Sequence, residues 1–191
     1  MFRSILSYLI IPFYTLLFVR QTDWFSTNFS VIGSLEEQKN FFSAWAILLS
    51  VTLYPMLFPL IDKAPFIQKH SHFPSRKTIC FILLNQSLLF LTAAVILPYA
   101  PSRLPLQARL HVVCALLSGL SLFTCLVLLI HGYYRTKPSV FRTPVLILWG
   151  SFVISMLLLL LCGIVNSALE ILVTITACVL SRQMYQKVFG R

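Results

Sequence analysis

His111 is the residue whose type and position come closest to those of a reactive group. It stands at the start of a long apolar run, two residues after Arg109, and an imidazole beside carboxylates can bind a metal ion or act as a general base. A histidine at a helix start more often hydrogen-bonds a neighbour at the level of the lipid headgroups. His111, Glu36 and Glu37 are therefore kept as candidates, and no catalytic residue, metal ligand or cofactor is assigned. The acids that could meet His111 are Asp23, Glu36, Glu37 and Glu170.

Segment 20–40 is the longest polar stretch beside the apolar runs and the first place to expect a bound ligand. Asn28 and Ser30 are its candidate binding residues, and Arg109 is a further one. Asn28-Phe29-Ser30 also matches the acceptor pattern for N-glycosylation. Ser34, followed three residues later by Glu37, has the spacing of a capping box. This spacing predicts a helix start and gives Glu37 a structural role.

Asn85 and Gln86 are amides in the middle of an apolar run. An amide in hydrocarbon needs a hydrogen-bond partner. Bonds to a neighbouring helix are the default interpretation, and a polar path for a small solute is the alternative. Asn85 and Gln86 are therefore further candidate binding residues.

The fourth apolar run carries small residues at helical spacing. Cys114, Ser118, Ser121 and Cys125 are four, three and four residues apart, which places them on one face of a helix. Beside them, Ala115 and Gly119 form a small-xxx-small pair. Such a face permits close helix contact, so we expect this helix to be central to the bundle.

Motifs of well-known reactions are missing from the sequence. It contains no GxSxG, HExxH, phosphate-binding loop or dinucleotide fingerprint. The five cysteines lie in apolar runs without metal-ligand spacing, so we interpret them as packing residues. The centres of the apolar runs lack ionisable residues, which argues against a proton-driven transporter.

The composition requires a membrane as the main solvent. The chain of 191 residues is 58% hydrophobic and 10% charged, with a mean hydropathy of +0.87, whereas soluble domains carry about 25% charged residues. The apolar runs predict one all-α membrane domain, 1–191, with a tight hairpin at 163–167 between its last two helices. The six predicted transmembrane helices are 2–19, 41–61, 79–97, 112–130, 145–164 and 169–185.

Basic residues fall mainly on one side of this predicted bundle. That side also holds both termini, and since Lys and Arg are retained in the cytoplasm, both termini are predicted to be cytoplasmic. Its excess of positive charge indicates contact with anionic inner-leaflet lipids rather than nucleic acid. The eleven residues on this side are Arg3, Lys63, Lys69, Arg76, Lys77, Arg135, Lys137, Arg142, Arg182, Lys187 and Arg191, and the other four are Arg20, Lys39, Arg103 and Arg109.

Two segments resemble a known family. Residues 28–33, NFSVIG, precede two acids and Phe41-Phe42, and residues 110–115, LHVVCA, lead into Ser118 and Gly119. Together they look like six-helix proteins of the Frag1/DRAM/Sfk1 type and small bacterial membrane proteins of unknown function. Val31 and Ile32 stand where eukaryotic members carry Ser-Asp or Ser-Glu. The resemblance implies a six-helix fold with 28–33 near His111 on the non-cytoplasmic face, and a link to lipid remodelling without a defined reaction.

The leading hypothesis is a non-enzymatic, multi-pass cell-membrane protein that acts by lipid or protein contact as an accessory or protective factor. Its expected partners are membrane lipids and another membrane protein. One alternative is an outward-facing lipid-modifying enzyme or metal site built on His111 and the acids of segment 20–40. Another is a small-solute transporter using Asn85 and Gln86. The short loops favour a bacterial plasma membrane.

Overall fold

The computed structural model describes residues 2–66 and 75–190, and every regular element in that part of the chain is helical. Within it, five helices, α4 to α8, are long and apolar enough to cross a membrane, and the shorter apolar stretch Arg3–Val19 precedes them. The elements in order are α1 (Phe2–Ile5), a π-helical turn (Leu6–Ile10), α2 (Ile11–Val19), α3 (Phe29–Gly33), α4 (Lys39–Asp62), α5 (Arg76–Ile96), α6 (Pro105–Thr136), α7 (Pro138–Cys162) and α8 (Ser167–Phe189).

The π-helical turn ends two residues before Pro12, a proline inside the first predicted helix. Proline has no N–H and its ring crowds the carbonyl four residues earlier. A wider turn with bonds five residues apart relieves that crowding. The chain continues as α2 without leaving the helical direction, so α1, the turn and α2 form one irregular helix.

The helices that follow differ from the predicted spans mainly at their ends. α6 and α7 are longer than predicted and are separated by Lys137 alone. Prolines lie inside two of these helices, namely Pro55 and Pro59 in α4 and Pro144 in α7. Such prolines are tolerated in membrane helices because neighbouring groups satisfy the freed carbonyls.

The tight hairpin predicted at 163–167 is confirmed. α7 ends at Gly163, whose φ of 69° is the left-handed conformation that glycine adopts without strain. Asn166 then caps α8 by accepting a hydrogen bond from the backbone N–H of Leu169. The two helices pack against each other.

α5 and α6 form the closest helix pair through the predicted small-residue face. The hydroxyl of Ser118 donates to the carbonyl oxygen of Ser87 at 2.9 Å, and Ser121 and Cys125 are also buried. The small-xxx-small expectation is wrong at Gly119, which is exposed and has nothing within 4 Å of where a Cβ would stand.

α2, α5 and α7 end at the same end of the bundle, and α4, α6 and α8 begin there. We call it the first-loop end, because residues 20–38 cover it. We call the opposite end the terminal end.

The apolar core between the two ends includes Met56, Leu57 and Leu60 of α4, which are fully buried. The outside is apolar too. Leu160 and Leu161 of α7 are 75% and 82% exposed, a surface suited to hydrocarbon.

Candidate functional site

The short helix α3 is the element on which the first-loop end is organised. Asn28 caps it: its side-chain oxygen accepts from the backbone N–H of Val31 at 2.9 Å. A second backbone N–H at the start of α3, that of Phe29, donates to Glu170 Oε2 at 2.6 Å. Glu170 belongs to α8, so two backbone groups that a helix start leaves unpaired are satisfied. Asn28 and Glu170 therefore have structural roles in positioning α3.

α3 packs on a cluster of aromatic rings from α2 and α4. The ring of Phe29 meets Phe18 and Trp45 edge to face, with centroids 5.4 and 5.2 Å apart. Phe42 stacks on both Phe18 and Trp45. At Gly33, a Cβ would stand 2.7 Å from the ring of Phe42. Only glycine lets α3 lie this close to α4.

Residues 20–28 are fastened to the start of α8. The carbonyl oxygen of Thr27 accepts from the backbone N–H of Ser167 at 2.7 Å, and that of Trp24 accepts from Ala168 at 3.0 Å. Within the loop, Asp23 accepts hydrogen bonds from the backbone N–H of Phe25 and the hydroxyl of Ser26. These bonds favour the carboxylate and lower the pKa of Asp23. The loop is thus an ordered cover over the helix ends.

His111 joins α3, α5 and α6. Its side chain is 3% exposed; Nδ1 lies 2.9 Å from the carbonyl oxygen of Leu97, and Nε2 lies 2.8 Å from the hydroxyl oxygen of Ser30. A carbonyl oxygen only accepts, so the neutral ring carries its proton on Nδ1 and accepts the Ser30 hydroxyl proton at Nε2. Tyr99 lies beside the ring, with centroids 5.5 Å apart.

Leu97 offers this carbonyl because it is the residue at which α5 ends. Its backbone turns extended, with φ −74° and ψ 123°. The carbonyl then points away from the helix, where a side chain must satisfy it. Sequence reasoning missed this partner, since a backbone carbonyl carries no residue signature. The only available signal was Pro98, which biases the preceding residue toward extended backbone.

A cleft of about 310 Å³ opens beside this pair at the first-loop end. One side is polar and the other apolar. The polar lining is Ser30, Ser34, Glu36, Lys39, Ser43 and His111, and the apolar lining includes Phe42, Val95, Ile96, Leu97, Pro98 and Tyr99.

Glu36 and Glu37, the candidate acids of segment 20–40, differ in their position relative to the cleft. Glu36 lines the cleft together with His111, whereas Glu37 is exposed and does not line it. The predicted capping box is wrong, because α4 begins at Lys39, with Gln38 as its cap residue. Ser34 instead ends α3, and its hydroxyl donates to the carbonyl oxygen of Val31. His111 is thus paired with a serine rather than with a carboxylate.

The remaining candidates lie away from this pair. Arg109 is exposed on α6 and does not line the cleft. The amide of Asn85 donates to the carbonyl of Phe81 in its own helix at 2.8 Å, and its side chain is exposed. The interhelical bond expected of Asn85 is therefore not made, and the polar path loses its support there. Gln86 is half-buried.

The described residues contain no group of three or more His, Cys, Asp or Glu able to hold a metal ion. The fold defines a class of protein: several long apolar helices indicate a multi-pass membrane protein. No family model, curated protein or solved structure matches the chain.

Proposed function

We propose that this chain is a six-span membrane protein with both termini in the cytoplasm, and that it binds a membrane lipid by its headgroup in the cleft at the first-loop end. The observation that carries the proposal is the two-sided lining of that cleft, polar on α3 and the start of α4 and apolar on residues 95–99. Lipid contact is one of the two modes of action expected of an accessory or protective factor, the other being contact with another membrane protein.

The sixth span in this proposal is the irregular helix of α1, the π-helical turn and α2. Its apolar part, Arg3–Val19, is about 25 Å long at 1.5 Å per residue. That is a few ångströms less than the hydrocarbon core of a bilayer, a mismatch that local thinning accommodates at small cost. Ser7 and Thr15 on this helix are buried against the rest of the bundle.

The orientation is supported by the side chains of the terminal end. Arg3 lies over the ring of Tyr185 and Lys63 over that of Phe189, each 4.7 Å from the centroid. Lys77 forms an ion pair with Asp62 at 2.6 Å. These cations gather at one end and suit the cytoplasmic side. Lys69, which was counted with them, lies outside the described residues.

A phospholipid fits the cleft by chemistry. Lys39 is a cation for a lipid phosphate, and Glu36 and the serine hydroxyls can bind the polar part of the headgroup. Val95 and Ile96 continue the lining along α5 as an apolar wall that an acyl chain can follow. A water-soluble ligand would leave that wall uncovered.

The proposal is tested by lipid retention. Protein purified in mild detergent with an anionic phospholipid is analysed by native mass spectrometry, and Lys39→Gln is compared with Arg109→Gln. Both variants remove one exposed cation from the first-loop end, but only Lys39 lines the cleft. Lys39→Gln should lower the lipid-bound fraction at least threefold, and Arg109→Gln should leave it unchanged. Equal retention by the two variants would contradict headgroup binding in the cleft.

A further inference from the structure

The Ser30–His111 pair has the arrangement that nucleophilic catalysis uses. A serine is a weak nucleophile until a base within hydrogen-bond reach takes its proton, and the base works when a third group fixes its orientation. Ser30 Oγ and His111 Nε2 are 2.8 Å apart, and the carbonyl of Leu97 holds Nδ1 at 2.9 Å. The lone pair of Nε2 is thereby directed at the serine hydroxyl.

As the third group that orients the base, a carbonyl activates the serine less strongly than a carboxylate does. The Leu97 carbonyl is a dipole without net charge, so it fixes the tautomer of His111 but stabilises the imidazolium less. We therefore expect slow turnover. Burial of the ring beside Tyr99 keeps His111 in place.

Access distinguishes this pair from a purely structural hydrogen bond. A bond that only held α3 against α6 could be sealed in the core, yet Ser30 is half-buried and both residues line the cleft. Lys39 lines the same cleft. A lipid whose phosphate binds Lys39 would bring the ester groups of its glycerol close to Ser30.

We propose that Ser30 is a nucleophile and His111 its general base, acting on a carboxylic ester of the lipid bound in the cleft. This inference rests on the proposed lipid binding. Ser30 Oγ bonds to the ester carbonyl carbon while its proton moves to His111 Nε2. The bond from that carbon to the alcohol oxygen then breaks, and His111 returns the proton to the alcohol. A water molecule then gives a proton to His111 Nε2 while its oxygen bonds to the acyl carbon. The bond from that carbon to Ser30 Oγ breaks, His111 returns the proton to Ser30 Oγ, and the fatty acid leaves.

The test uses a fluorophosphonate probe, from which a nucleophilic serine displaces fluoride to form a stable adduct. Purified protein in lipid nanodiscs is treated with the probe, and the modified residue is located by peptide mass spectrometry. An adduct on Ser30 supports the proposal. An adduct on another residue, or none, overturns it. This readout uses the unaltered chain and does not depend on a variant that folds.

Substitutions then test the roles of Ser30 as nucleophile and His111 as general base. Ser30→Ala and His111→Gln should each lower labelling and fatty-acid release from phospholipid at least a hundredfold, a loss in the range of general-base catalysis. Ser102→Ala removes an exposed serine at the same end of the bundle that does not line the cleft, and it should leave both unchanged. In water enriched in oxygen-18, one labelled oxygen should enter each fatty acid released.

Native mass spectrometry separates this inference from the binding proposal. If the lipid is retained through Lys39 while Ser30 stays unlabelled, the nucleophile is overturned and lipid binding stands. If Ser30 is labelled but Lys39→Gln retains lipid normally, binding in the cleft fails and the reactive serine stands.

Discussion

At the scale of single residues, the first-loop end depends on a few close contacts. His111 satisfies the last carbonyl of α5 and the hydroxyl of Ser30 at once. Gly33 lets the backbone of α3 approach Phe42 within a distance that no side chain permits. Both contacts set where Ser30 stands relative to the cleft.

Gly33→Ala should destabilise the protein because its Cβ would stand 2.7 Å from the ring of Phe42. The cost of such overpacking is about 1–3 kcal/mol, measured as a fall in the thermal unfolding midpoint in detergent. Gly119→Ala is the matched control, since that glycine is helical with open space around it. It should be neutral or slightly stabilising. Equal midpoints for the two variants would contradict the close contact of α3 with α4.

Residue type singled out His111, and a place in the polar segment 20–40 singled out Ser30. The family resemblance implied that residues 28–33 lie near His111, but it did not say which side chain pairs with the ring. That pairing was beyond the sequence, because the two residues are 81 positions apart and meet only after α3 and α6 pack. Glu36 and Glu37 show the opposite case. Adjacent in sequence, they differ in the structure, since one lines the cleft and the other does not.

At the scale of elements, α3 is held by the side chain of a distant glutamate. Glu170 accepts from the backbone N–H of Phe29 across 141 positions of sequence. A helix of five residues is too short to be stable alone. Such tertiary contacts are therefore a condition for its existence, and local patterns could not predict it.

Glu170→Ala should loosen α3 by leaving the Phe29 N–H without its acceptor, at a cost of about 1–3 kcal/mol. Hydrogen exchange in residues 28–34 should speed up about tenfold, while exchange in the middle of α6 stays unchanged. Glu170→Gln keeps an acceptor oxygen, so its exchange rate in residues 28–34 should lie between those of the parent protein and the alanine variant. Unaltered exchange in the alanine variant would show that Glu170 does not hold α3.

The five long helices were predicted because their apolar runs come close to the roughly 20 residues that cross a membrane. Their ends were not predicted. Helix ends depend on caps and on packing. α7 illustrates this: Pro138 stands at its first position, and the helix continues through Pro144 to Cys162. The predicted start at 145 left out Pro144 and the six residues before it.

At the scale of the whole molecule, the proposed topology separates the two ends of the bundle. Ser34 and Ser139 are both exposed, one at the first-loop end and one at the start of α7 at the terminal end. In intact cells, a membrane-impermeant maleimide should label the Ser34→Cys variant more strongly than the parent protein. Ser139→Cys should be labelled only after permeabilisation. Labelling of both before permeabilisation would contradict the proposed topology.

The first span has its own test. A short peptide tag on the N-terminus should be reached by antibody only after permeabilisation, as should a tag on the C-terminus. An N-terminal tag that is accessible on intact cells would mean that the helix of α1 and α2 does not cross the membrane. The count would then fall to the five long helices.

The measurement that tests lipid binding in the cleft most directly is photo-cross-linking with a phospholipid that carries a diazirine in its headgroup. Cross-linked peptides are mapped by mass spectrometry from protein in nanodiscs. The account predicts cross-links concentrated in residues 30–43 and 95–100, which line the cleft. Cross-links scattered along the exposed faces of the bundle, without enrichment in those two segments, would contradict it.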